Sequence, residues 1–239
     1  MKFGHTDIDL KPIGLGCWAI GGLWYDLGTC AGWGDVKDEE SLKALDTGIG
    51  MGVNLIDTAN VYGAGHSEVL VGKAIAGRRD KVFVSTKFGI QFDPETKTTT
   101  GSIKTPEDII NSCEDSLKRL GTDYIDLFLF HLGDFPAEEA PMVRDTLEKL
   151  VDDGKIRYYG WSTSDPARQE IFSLGKHYEG CEFALNVLED DPAMCSFVEE
   201  KGITGLGRSP LAMGLLTGKY NQKTNFSKDD LRGKNAPVW

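Results

Sequence analysis

Asp57 and Tyr62, five positions apart in the run VNLIDTANVYGAGHSE, carry the first chemical signal of this 239-residue chain. Val53 to Ile56 reads as a short buried strand, Asp57 closes it, and a glycine-bearing turn carries Tyr62 outward. Two further strand-like runs end in a polar residue, VFVST before Lys87 and IDLFLF before His131. An acid, a phenol, an amine and an imidazole at successive strand ends suggest one site assembled from several loops. Proton transfer is the chemistry such a set offers. A free phenol, with a pKa of ~10, holds its proton firmly at neutral pH. A lysine cation beside it lowers that pKa and brings the proton nearer the useful range. Taken singly, each residue has a plainer reading: a loop-anchoring tyrosine, a solvated lysine, a structural histidine.

The elements that position these residues alternate strand and helix. Apolar strands are expected at Ile13 to Trp18, Val53 to Ile56, Val82 to Thr86, Ile125 to Phe130, Ile156 to Trp161, Phe183 to Val187 and Ile203 to Leu206. Thr105, Asp165 and Asp191 each precede a proline, the pattern of a capped helix with proline at its first position. Val143, Leu147, Leu150 and Val151 form one apolar stripe, and Gly154, Gly121 and Gly202 stand where helices end. Strands apolar along their whole length point to a parallel sheet covered by helices.

Two architectures meet that alternation, an open doubly wound sheet and a (β/α)8 barrel. An open dinucleotide-binding sheet should show GxGxxG after its first strand, and GLGCWAIGG has the wrong spacing with no helix following at once. Polar residues closing strand after strand suit catalysis at the C-terminal face of a barrel. The barrel is therefore preferred.

A formal charge of −11 argues against nucleic acid or an anionic membrane surface as a partner. No apolar run is long enough to span a bilayer, and MKFGHTDIDL lacks the apolar stretch of a signal peptide. Cysteines 17, 30, 113, 181 and 195 are scattered, as for reduced thiols in a cytoplasmic protein. His5, His66, His131 and His177 show no metal-ligand spacing with them, and neither a GxSxG elbow nor a Walker sequence is present.

IDTANVYGAGHSE and STKFG closely resemble segments of the aldo-keto reductase family, whose tetrad is an Asp, a Tyr, a Lys and a His in this chain order. The resemblance implies an α/β fold of the (β/α)8 TIM type, with residues 1–12 as a hairpin plugging the barrel floor. It also implies reversible, nicotinamide-dependent reduction of an aldehyde or ketone. Tyr62 would supply the proton as general acid, Lys87 would lower its pKa, and Asp57 would hold Lys87 as an ion pair. His131 would donate a hydrogen bond to the carbonyl oxygen.

The downstream half carries the cofactor signals that the resemblance implies. In GKIRYYGWST, Ser162 matches the family's Ser-Asn pair on the nicotinamide carboxamide, and Thr163 stands where Asn is usual. A hydroxyl offers one donor where an amide offers two. In CEFALNVLEDDP, Glu182 falls where the family typically has Gln, and Leu185 where many members stack a tyrosine. RSPLAMGLLTGKY resembles the loop that wraps the pyrophosphate, with Ser209, Leu211, Gly214, Leu216 and Lys219 as candidate contacts. Trp18 is the expected wall of the cofactor site, beside Asp57, while Trp24 and Trp33 are candidates for lining the substrate pocket.

The expected organisation is a single incomplete barrel over residues 1–239, with residues 207–239 as cofactor loop and tail. Seven strands are counted, so the eighth strand and closing helices are expected to be absent, which leaves a gap open to cover by a neighbouring subunit in an oligomer. NADPH/NADP+ is the cofactor the family implies, with NADH left open, and the particular carbonyl substrate is open too. A non-catalytic cofactor-binding sensor of the same fold is the alternative motivated by Thr163, Glu182 and Leu185. A Schiff-base aldolase using Lys87 gains nothing from the Asp57–Tyr62 arrangement.

Overall fold

Period-two alternation along short apolar runs sets both the strands and the direction of the site residues they carry. The computed structural model describes residues 1–233. Seven parallel strands form the centre: β1 (Leu15–Gly16), β2 (Leu55–Asp57), β3 (Phe83–Phe88), β4 (Ile125–Phe130), β5 (Ile156–Trp161), β6 (Gly180–Ala184) and β7 (Thr204–Arg208). Six helices alternate with them: α1 (Asp38–Gly50), α2 (His66–Ile75), α3 (Pro106–Leu120), α4 (Ala140–Asp152), α5 (Pro166–Ser173) and α6 (Pro192–Lys201).

Strands β1 to β5 pair in chain order as one parallel sheet, and β6 pairs with β7. Isolated parallel bridges Tyr159–Tyr178 and Ser162–Glu182 join the two sets. Gly160 makes that junction possible, because a Cβ there would lie 1.7 Å from the Gly180 carbonyl oxygen. Among the described residues, β1 and β7 are the outer strands.

The alternation sorts the core into two layers. Leu55, Phe83, Leu127 and Leu129 point into the barrel, where Phe3 and Leu10 cover them from below. Phe3 is fully buried, with its ring 4.7 Å from Phe83 and 5.4 Å from Tyr158, and Lys2 bridges Asp9 in antiparallel fashion. Ile56, Val84, Phe128 and Phe130 point the other way, against the helices. Continuing the inward rows upward reaches Asp57 after Leu55, Lys87 after Phe83 and Ser85, and His131 after Leu127 and Leu129.

The helix signals act as expected. Thr105 accepts from the Asp108 amide and Asp108 returns the bond, closing a capping box before Pro106. Asp165 and Asp191 accept from the amides of Ala167 and Met194 at 2.9 and 3.0 Å. Gly121 and Gly202 end α3 and α6 at positive φ, and Val143, Leu147 and Leu150 are buried along α4.

Three expectations are corrected. The first strand is shorter than Ile13 to Trp18, because Gly14 and Gly16 offer no side chain to pack and Ile13 is exposed. The sixth strand is Gly180–Ala184 and not Phe183 to Val187: its register against β7 runs from Gly180 to Ala184, and the chain then turns between Asn186 and Glu189. The seventh extends to Arg208. A four-stranded sheet that the pattern did not suggest, built from Tyr25–Asp26, Thr29–Cys30, Ile90–Asp93 and Thr98–Ser102, forms from the loops after β1 and β3. Residues 234–239 of the expected tail lie outside the described residues.

Candidate active site

The C-terminal ends of β2, β3 and β6 bring one cation against two carboxylates. Lys87 is fully buried, and its Nζ donates to Asp57 Oδ2 at 2.5 Å and to the Thr58 carbonyl at 2.9 Å. Glu182 Oε2 lies 3.1 Å from the same nitrogen. Asp57 Oδ1 accepts from Ser85 Oγ at 2.9 Å, and Glu182 Oε1 accepts from Ser162 Oγ at 3.4 Å. Every carboxylate oxygen of the pair therefore has a partner.

Tyr62 hangs over this cluster from the turn between β2 and α2. Lys87 Nζ lies 5.3 Å from its ring centre, His131 meets it edge-on at 6.0 Å, and Trp18 stacks on it at 5.8 Å. The turn is pinned locally. Ser67 Oγ donates to the Cys17 carbonyl and pairs with Thr58 Oγ1, both at 2.8 Å. Gly63, at φ +63°, lets the loop after β1 approach, since a Cβ there would lie 2.0 Å from the Gly21 carbonyl oxygen. His131 is held by its own amide, which donates to the Phe88 carbonyl at 2.8 Å, while its Nδ1 is buried without a partner among the described residues.

Burial dominates the electrostatics. It pulls the Lys87 ammonium down, but Asp57 and then Glu182 outweigh it and keep the lysine charged. For Tyr62, burial raises the pKa more than Lys87 lowers it, and Asp57 and Glu182 add to the rise. The expected lowering by Lys87 is thus present but smaller than the cost of burying a phenolate. Burial, with help from Lys87 and Arg208, pushes His131 down to about 3, so its imidazole is neutral. Burial and Asp57 raise the Glu182 carboxyl above its usual range, against Lys87 and Arg208.

The other sequence candidates fall in three groups. Ser162 joins the cluster through Glu182, while Thr163 gives its hydroxyl proton to the Gly133 carbonyl at 3.0 Å. Trp24 is buried beside Ala59, Val61 and Tyr62, and Trp33 lies under the Arg232 guanidinium at 4.6 Å. Ser209, Leu211, Gly214, Leu216 and Lys219 lie on the loop after β7, with Leu211 and Lys219 exposed and Gly214 at φ +94°. Ser85 and Arg208 escaped the sequence reading. Ser85 had a usable signal, since it shares the inward row of Lys87, two residues before it.

The model of the "Aldo/keto reductase family" matches residues 12–238. The chain belongs to this family. It is 35% identical over 237 residues to the Bacillus subtilis aldo-keto reductase YhdN, covering 97% of this chain and 67% of that protein. A methylglyoxal reductase of Escherichia coli, YeaE, is 37% identical over 171 residues, covering 70% of this chain and 51% of its own length. Among solved structures, the glycerol dehydrogenase of Gluconobacter oxydans superposes with a TM-score of 0.83 at 35% identity, covering 98% of this chain and 70% of that one. An aldo/keto reductase of Klebsiella pneumoniae in complex with NADP and acetate gives a TM-score of 0.71 at 27% identity, covering 93% and 72%. This chain thus spans about two thirds of the length of several relatives it matches, 64% to 67% for five of them. The parallel α/β fold is that of the family's (β/α)8 barrels.

Proposed function

We propose that this protein reduces a small aldehyde or ketone with a nicotinamide cofactor, and that Tyr62 gives the proton to the carbonyl oxygen. The observation that carries this reading is the buried Lys87–Asp57 pair beneath Tyr62, with a neutral His131 at the edge of the same ring. A phenol held protonated by burial is a competent general acid, and a positive charge beneath it stabilises the phenolate formed as the proton leaves. A neutral imidazole can orient the carbonyl oxygen by a hydrogen bond without competing as an acid. Asp57 keeps Lys87 charged and fixes its position.

The residues present fit a nicotinamide dinucleotide. Ser162 Oγ and the Glu182 carboxylate offer acceptors to a carboxamide N–H group at the mouth. Arg208 and Lys219, both exposed and without an ion-pair partner among the described residues, offer cations to a diphosphate. When bound, the reduced nicotinamide supplies the hydride. NADP(H) is the cofactor we assign, in keeping with the NADP-bound Klebsiella relative, and the names of the glycerol dehydrogenase and methylglyoxal reductase point to small substrates.

Replacing Tyr62 by Phe removes only the hydroxyl, so cofactor binding should persist while turnover falls by roughly 10²-fold or more. Near-normal rates of Tyr62→Phe on several aldehydes overturn the assignment. One observation favours a second reading, a cofactor-binding protein with little turnover: Thr163, at a carboxamide-contact position, has its hydroxyl proton committed to Gly133. Cofactor quenching of tryptophan fluorescence without turnover on any aldehyde would select that reading.

A further inference from the structure

Beyond offering an acceptor to the carboxamide, Glu182 has no part in the proton transfer outlined above. Its side chain is 5% exposed, and β6 carries it to 3.1 Å from Lys87 Nζ. An ammonium has three protons. Asp57 Oδ2, the Thr58 carbonyl and Glu182 Oε2 surround this one at 2.5, 2.9 and 3.1 Å. Two carboxylates therefore share a single buried cation. The groups facing Glu182 are Asp57 from β2, Tyr62 from the next turn, Lys87 from β3, Ser162 after β5 and Arg208 at the end of β7. Of these only Lys87 and Arg208 are cations, and Arg208 is exposed to solvent screening.

A phenolate at Tyr62 is stabilised by Lys87 and destabilised by each nearby carboxylate. An amide in place of Glu182 could still accept a hydrogen bond from Lys87 without adding the second negative charge. We propose that Glu182 is a positioning residue that acts through Lys87 to hold the proton on Tyr62, and so extends to higher pH the range in which the site keeps the proton that carbonyl reduction needs. This rests on Tyr62 being the proton donor. In reduction, Tyr62 loses its proton to the carbonyl oxygen as the carbon receives hydride from a reduced nicotinamide, forming one O–H and one C–H bond. Oxidation reverses both transfers and begins from the Tyr62 phenolate. A residue that holds the proton on Tyr62 therefore moves the pH limits of both directions together, to higher pH.

The test is Glu182→Gln in the full chain, near in shape and lacking the charge. Phenolate absorbance is read across the alkaline range in which the fold is intact, without cofactor. Each protein is compared with its own Tyr62→Phe derivative, so that only Tyr62 is counted. The pH profiles of kcat/KM for reduction of a short aldehyde and for oxidation of the matching alcohol are then measured. The variant should show about tenfold more Tyr62 phenolate at a given alkaline pH, equivalent to about one pKa unit. The alkaline limbs of both kcat/KM profiles should move to lower pH by the same amount. Identical phenolate fractions in the two proteins overturn the proposal and leave Glu182 as a plain hydrogen-bond partner of Lys87. Absence of turnover in both proteins defeats the functional reading instead, and the phenolate comparison still decides the coupling. Should the Gln variant fail to fold, Glu182→Thr must shift the phenolate fraction in the same direction, and an unmoved fraction overturns the proposal.

Discussion

Opposite ends of the central strands each hold a charge cluster around a buried group, Lys87 at one and Asp126 at the other, and the two clusters have inverse composition. At the mouth, one cation, Lys87, faces the carboxylates of Asp57 and Glu182. Near the start of β4, one carboxylate, Asp126, faces the guanidinium groups of Arg79 and Arg157 at 2.7 and 3.0 Å. The lower cluster is complete. Asp126 also accepts from the Val84 amide, Arg79 donates to Thr122, Val82 and Tyr124 besides Asp126, and both guanidinium groups stack on the Tyr124 ring. The charges at the mouth are partnered too, but beside them His131 Nδ1 is buried without a partner among the described residues. A saturated cluster fixes strands in register, whereas one with a capacity left over is where a ligand can bind. Charge burial alone does not mark a site.

Removing the mouth's cation should break the comparison most. Lys87→Met leaves a buried and a part-buried carboxylate without their partner, so turnover should fall by roughly 10²-fold or more. Stability should fall by about 3 kcal/mol as well. Because Asp57 acts through Lys87, adding Asp57→Asn should cost little more, and a double-mutant cycle on kcat/KM measures that coupling. Additive losses would show that the two residues do separate work.

The lower cluster should answer differently. Asp126→Asn leaves two arginines facing a neutral amide and should cost about 3 kcal/mol, a drop in Tm on the order of 10 °C. Below the unfolding range its kcat/KM and pH profile should match the parent protein. A shifted pH profile would mean that the two ends of the strands are coupled.

A smaller effect follows from His131, whose pKa is pushed down to about 3 by burial. The unfolded chain binds a proton at this residue below about pH 6.5, and the folded chain does not. Its contribution to stability is therefore present above about pH 6.5 and is lost as pH falls toward 3. Denaturant melts at several acidic pH values should show that decline, and His131→Gln should flatten part of it. The smallest effect belongs to a region with no charge cluster. Thr105→Ala removes the cap of α3 and should lower stability by about 1 kcal/mol, with turnover unchanged. A change in turnover from this substitution would tie α3 to the mouth.

Much of this site was legible in the chain. Asp57, Lys87 and His131 each end an apolar run, and alternation sends each into the barrel because the residue two places earlier already points there. Thr105, Asp165 and Asp191 declared their helices because a short polar side chain before proline satisfies an amide that the first turn leaves free. The sheet over the mouth was not legible. Its segments are short and threonine-bearing, as in Thr98–Ser102, and acquire strand geometry only because two separate loops meet and share hydrogen bonds. The register of β6 was missed for a related reason. Its apolar run suggested Phe183 to Val187, but the close approach of β5 at Gly160 and the contact of Phe3 with Gly180 place the strand earlier.

The chain by itself determined which residues of β2 to β4 face inward and where the proline-led helices α3, α5 and α6 begin, since these depend on neighbours two to four positions away. Two matters needed the tertiary structure. One is that Glu182, distant in sequence, closes on Lys87 beside Asp57, a contact made only when β6 takes its place in the sheet. The other is the direction in which Tyr62 is shifted. Lysine next to phenol argues for a lowered pKa, but desolvation grows with everything packed around the ring and here exceeds the attraction of one cation shared by two carboxylates. Local pattern can place a charge on a face; how much water remains around it depends on the whole fold.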